Sequence, residues 1–244
     1  MAFTEKYLWV INYDSLTDFL DRARSVGATA VVIRTDNDLS KAIPLFHAYD
    51  IKVVGWRWPS SKRDPAICEA NAADKFFALG LDGYFVDPEG EPGQPYDWDQ
   101  NDLAPLAQEF CSIVKGNSNR LFGVTSHYQA SAKYPKLPWA TFFASADILL
   151  PQAYWETDDG KVGHGIPEDN YEKSFAFWTA AGGDTGKIQP MAGELVHVTA
   201  DEIDRYVAAA ANQGVSSLHF YSYDEGVAES TCVNARAELT HLTV

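Results

Sequence analysis

The sequence has few cations, no paired cysteines and no long apolar run. It holds 19 Lys and Arg against 34 Asp and Glu, a formal net charge of -15. A surface this acidic repels nucleic acid and anionic membranes, so neither is an expected partner. The three cysteines, Cys68, Cys111 and Cys232, are far apart and odd in number. They form no CxxC or Cys/His spacing, which excludes a disulfide framework and a signalled zinc site. They read as small buried apolar residues. No apolar stretch reaches the length of a membrane span. The start, Met1 to Tyr7, has no basic segment followed by an apolar run, so no classical signal peptide is visible. A cytoplasmic location or a non-classical or phage-type export route is the expectation. No glycine-rich phosphate loop follows the first strand, which removes the usual dinucleotide site.

What is present is regular. Eight short β-rich runs recur along the 244 residues: Tyr7–Asn12, Ala30–Thr35, Lys52–Trp58, Gly83–Asp87, Leu121–Ser126, Ile148–Tyr154, Ile188–Ala192 and Ser217–Ser222. Each is apolar enough to be buried on both faces, as parallel strands are. Helical spacing marks 15–25, 66–79, 102–115, 171–181 and 200–213, with Ser15 placed to cap the first. Glycines at 27, 80, 116, 182 and 214 suit helix ends that turn into the next strand. Length and alternation together predict a single (β/α)8 TIM barrel filling residues 1–244 as one domain.

Active sites of such barrels lie at the C-terminal ends of the strands. There the sequence gathers carboxylates (Asp14, Asp36, Asp87, Glu89, Glu91, Glu156, Glu194, Asp224, Glu225) and aromatics (Tyr13, Trp56, Trp58, Tyr128, Tyr154, Trp155, Tyr221, Tyr223). Aromatic faces stack on sugar rings and polar groups take the hydroxyls. A carboxyl pair then supplies the acid and its partner for glycosidic cleavage. Asp87 and Glu89 are two residues apart and face one side of an extended chain. Mutual repulsion keeps one of them protonated, and Glu89 is assigned as general acid with Asp87 the ionised partner. Asp14, Trp58, His127, Gln152, Trp155, Tyr221 and Tyr223 are the expected substrate-binding residues. A rival reading uses Asp36, Asp87, Glu89 and His127 in a metal-dependent hydrolase.

The run Asp82-Gly83-Tyr84-Phe85-Val86-Asp87-Pro88-Glu89 resembles the strand-four signature of family 18 chitinases, with Phe85 standing where that family has another Asp. Tyr154, in Gln152-Ala153-Tyr154-Trp155, matches the tyrosine of the family's strand-six motif. The chain also resembles family 25 lysozymes, in which Asp14, Asp87, Glu89 and Asp224 would fill the acidic positions. Both resemblances imply a glycoside hydrolase acting on an N-acetylhexosamine glycan, peptidoglycan ahead of chitin. They imply that Asp87 orients the 2-acetamido group, that Glu89 protonates the leaving oxygen, that Tyr154 hydrogen-bonds the acetamide, and that no cofactor or metal takes part. The departures at Phe85 and Trp155 suit an alternative, a barrel that binds glycan without cleaving it. Oligomeric state is not legible in the sequence.

Overall fold

A computed structural model describes residues 3–116, 119–155, 165–222 and 238–244. Seven parallel strands form one curled sheet: β1 (Glu5–Val10), β2 (Ala30–Arg34), β3 (Lys52–Arg57), β4 (Gly83–Val86), β5 (Leu121–His127), β6 (Ile148–Gln152) and β7 (Ser217–Phe220). Their order is β6-β5-β4-β3-β2-β1-β7, so consecutive strands are neighbours and the last strand returns to the first. The helices are α1 (Leu16–Ser25), α2 (Leu39–His47), α3 (Arg63–Ala78), α4 (Ala104–Lys115), α5 (Trp139–Ser145), α6 (Pro167–Ala180) and α7 (Ala200–Gln213). Among the described residues, no helix is long and apolar enough to cross a membrane.

The expected strand over Ile188–Ala192 is not a ladder strand. Pro190 has no N–H to give, and the segment makes single parallel bridges, Leu149 with Ile188, Gln152 with Met191 and Ala192 with Phe220. Its amides still divide between the two sheet edges: Gln189 and Met191 donate to Leu149 and Pro151 of β6, and Ala192 donates to His219 of β7. Two helices escaped the sequence pattern. α2 carries Pro44 inside it, and α5 has only 7 residues.

Local signals explain the elements that were legible. The Ser15 hydroxyl accepts from the Asp18 amide at 3.3 Å and starts α1. Thr199 and Glu202 form a reciprocal capping box on α7, and Gly214 ends it at φ 71°.

Strand alternation sorts the core into two layers. Tyr7, Trp9, Val32, Val54, Trp56, Phe85, Leu150 and Met191 fill the inside of the curl. Leu8, Val10, Val31, Val53, Tyr84, Val86, Phe122 and Val124 face the helices. Gly123 has no room for a side chain, since a Cβ there would lie 2.4 Å from the Phe85 ring. Cys111 is buried, as expected, and burial pushes its thiol up to about 12. Cys68 is exposed, because α3 turns that position outward, and this corrects the expectation of burial.

Candidate active site

The C-terminal ends of the strands converge on a cavity of about 680 Å³. β3 delivers Trp58, β4 delivers Asp87 and Glu89, and β5 delivers His127. β6 delivers Gln152 and Tyr154, and β7 delivers Tyr221, all of them lining that cavity. Glu91 and Tyr96 join from the loop after β4, Lys133 and Tyr134 from the loop after β5, and Glu194 from the segment before α7. Asp82 sits at the opposite end of β4, where its carboxylate accepts from the Val53 amide at 2.7 Å and pairs with His47 at 2.8 Å.

The acidic pair is held by backbone and side chain alike. The Asp87 amide donates to the Arg57 carbonyl at 2.9 Å, and the Trp98 amide donates to the Glu89 carbonyl at 2.7 Å. Between them the Ser126 hydroxyl donates to the Pro88 carbonyl at 2.7 Å. The Gln152 side-chain amide donates to both Asp87 oxygens, at 3.0 and 3.1 Å, and to Glu89 Oε1 at 3.1 Å. One neutral donor thus ties the two carboxyl groups together.

Both carboxyls lie above the usual carboxylate range. Burial is the main cause for each, and the Glu89 charge adds to it at Asp87. Hydrogen bonds from Trp58 and Gln152 oppose the rise at Asp87, and the Gln152 hydrogen bond, with the Lys133 charge, opposes it at Glu89. The mutual hydrogen bond acts upward on Asp87 and downward on Glu89, and Asp87, only 4% exposed, is the more deeply buried of the two.

Aromatic rings wall the pair. Trp58 stacks with Tyr96 at 6.3 Å, and Tyr154 stacks with Tyr221 at 5.4 Å. Trp56 lies beneath, edge-on to Trp58 at 5.0 Å and to Tyr221 at 6.0 Å. Gly193 lets the Tyr154 ring settle against the backbone, since a Cβ at 193 would come within 2.5 Å of it. Asn170 fixes the same residue from behind, donating to the Tyr154 carbonyl at 2.7 Å.

Of the residues expected from sequence, Asp87, Glu89, Tyr154, Trp58, His127, Gln152 and Tyr221 meet in the cavity. Asp14 is exposed and does not line it. Trp155 is a correction: it is fully buried in the outer layer, 5.8 Å from Tyr206, because the two-residue alternation that brings Gln152 and Tyr154 inward turns it away. Tyr223 and Asp224 lie outside the described residues. Tyr96, Lys133 and Tyr134 line the cavity without having been anticipated, since they sit on loops where no periodic signal marks them. The metal-site reading loses its geometry. Asp36 is held by Arg34 at 2.7 Å and by Arg57 at 3.7 Å. Among the described residues no group of three or more His, Cys, Asp or Glu is placed to hold an ion.

No family model and no curated protein matches the chain. Solved structures do. The PgaB (BpsB) glycoside hydrolase domain from Bordetella bronchiseptica superposes with a TM-score of 0.63 at 11% identity, covering 98% of this chain and 99% of that one. The spore cortex-lytic enzyme SleL of Bacillus megaterium gives 0.62 at 9% identity, covering 99% of this chain and 75% of that one. YKL-39, crystallised in the presence of chitooligosaccharides, gives 0.61 at 9% identity, covering 90% and 92%. At such identities the likeness is one of fold alone, a parallel α/β fold.

Proposed function

We propose that the chain is an O-glycosyl hydrolase, a complete (β/α)8 barrel spanning residues 1–244 as one domain, that cleaves an N-acetylhexosamine-containing glycan. The observation that carries this reading is the Gln152-bridged pair, Asp87 and Glu89, at the base of an aromatic-walled cavity. Glu89 is the general acid. A sugar ring stacked on Trp58 brings its glycosidic oxygen to Glu89, and the shared proton moves from Asp87 through Glu89 to the leaving oxygen. Asp87, then ionised, orients the 2-acetamido group, whose oxygen closes on the anomeric carbon as the bond to the leaving oxygen breaks; water then attacks that carbon, reopens the ring and returns a proton to the acid pair. Tyr154 hydrogen-bonds the acetamide. Asp224 keeps its part only through the resemblance to family 25 lysozymes. The route uses side-chain acid–base chemistry and involves no cofactor.

Two fold neighbours support the amino-sugar substrate, SleL, a spore cortex-lytic enzyme, and YKL-39, crystallised in the presence of GlcNAc4. Peptidoglycan is placed ahead of chitin. The test is reducing-end release from purified peptidoglycan and from N-acetylchitotetraose. Release is expected from both, faster from peptidoglycan, and unchanged by EDTA. Saturable retention of glycan without release would overturn the hydrolase. It would favour the second reading, a binding barrel, which draws its support from the buried Phe85 at a position where family 18 chitinases carry an acid.

A further inference from the structure

We propose that Thr125 is a positioning residue for Asp87: its hydroxyl is the donor that receives the Asp87 carboxylate when that group lets go of Glu89. The inference rests on the acid pair assigned above and goes beyond it by naming what controls the pair.

Thr125 lies on β5, where Phe122 and Val124 face the helices. Alternation therefore turns Thr125 to the inside, with Leu121 and Gly123. The β4–β5 register aligns Phe85 with Gly123 and Val86 with Val124. Continued by one residue, it sets Thr125 beside Asp87 on the adjacent strand, about 5 Å away and within reach of a side-chain rotation. The residue is 1% exposed, yet its hydroxyl has no hydrogen-bond partner. A buried idle hydroxyl costs stability, and this one adjoins the one carboxyl whose bonding must change for Glu89 to hold the proton.

An ionised Asp87 needs donors. Gln152 divides its amide among three carboxyl oxygens, Trp58 donates from the wall, and Phe85 offers nothing from below. Thr125 supplies the missing donor only in the ionised state. The other titratable groups facing Asp87 are Glu89 beside it on the chain, Lys133 and Tyr134 after β5, Tyr154 after β6, Glu194, and Tyr221 after β7. None of these is altered by a substitution at 125.

The test is a carboxyl-carbon NMR titration of Asp- and Glu-labelled protein, assigned with Asp87→Asn and Glu89→Gln. In Thr125→Val the upper of the pair's two steps is expected to move up by about one pH unit, the lower step staying in place. Thr125→Ser restores it, and Thr125→Ala repeats the valine result should valine pack badly. Thr125→Val should melt no lower than wild type, because it removes an unpartnered polar group. An unmoved upper step, or a serine variant that behaves like valine, overturns the proposal. The titration needs no substrate, so it decides Thr125 even if the wild-type protein cleaves no glycan. If it does cleave, Thr125→Val should lower the rate plateau about tenfold while carrying the alkaline limb upward.

Discussion

Glu89→Gln is expected to lower glycan hydrolysis by about 10³-fold while leaving glycan affinity unchanged. The amide keeps the shape of the carboxyl and cannot deliver its proton. The aromatic wall of Trp58, Tyr96, Tyr154 and Tyr221, the proposed binding surface, stays intact. In the wild type, the pair is raised by burial and mutual charge, so it keeps its proton into less acidic solution than free carboxyls do. Activity should therefore fall on the alkaline side as that proton leaves, and Glu89→Gln should have no such limb. The sign for stability runs the other way. A carboxyl with a raised folded pKa contributes stability below its unfolded pKa and loses that contribution as pH rises through the folded value. Removing the Glu89 charge should thus raise the melting temperature at neutral pH, the usual exchange of activity for stability. Initial rates, a binding isotherm and a melting curve for the variant check all three. A rate within about tenfold of wild type would sink the role of Glu89.

Lys6→Met is expected to cost about 3 kcal/mol of folding stability, the largest effect anticipated away from the cavity. Lys6 is 2% exposed, and its ammonium donates to three carbonyls: Val26 at 2.8 Å, Leu239 at 2.8 Å and Leu242 at 2.6 Å. One side chain of β1 thereby ties the turn after α1 to residues near 240. Methionine fills the same volume and leaves three acceptors without a donor, two of them on that distal segment. Urea denaturation should show a lower midpoint with little change in slope, and proteolysis should begin near 239–242. A midpoint equal to wild type would mean that packing, and not the ammonium, holds that segment.

The sequence made much of this legible because buried parallel strands and acid spacing leave direct marks. Runs such as Ala30-Val31-Val32-Ile33 and Gly83–Val86 are apolar at every position, which only a strand covered on both faces tolerates. The two-residue interval of Asp87 and Glu89 sufficed to place them on one face. Other features left no such mark. Pro190 sits in a run that reads as a strand, and Pro44 sits inside a helix whose Leu39, Ala42, Ile43 and Phe46 keep apolar spacing around it. Trp155 looked like a cavity residue because it adjoins Tyr154, although the alternation already visible in the sequence assigns it to the opposite layer. Tyr96, Lys133 and Tyr134 came to the cavity from loops, whose paths are set by contacts distant in sequence, such as the Trp98 indole donating to the Pro59 carbonyl at 2.7 Å. The upward shift of both carboxyls depended on their burial, a property of the assembled core.

The indole contacts have an optical consequence. Trp9 and Trp56 lie 5.7 Å apart in the sealed interior, and Trp56 meets Trp58 of the cavity wall at 5.0 Å. Excitation energy passes readily between rings so close. On the proposed function, a sugar settling on Trp58 is expected to alter the emission of two chromophores it never touches, and a fluorescence titration with glycan would read its occupancy.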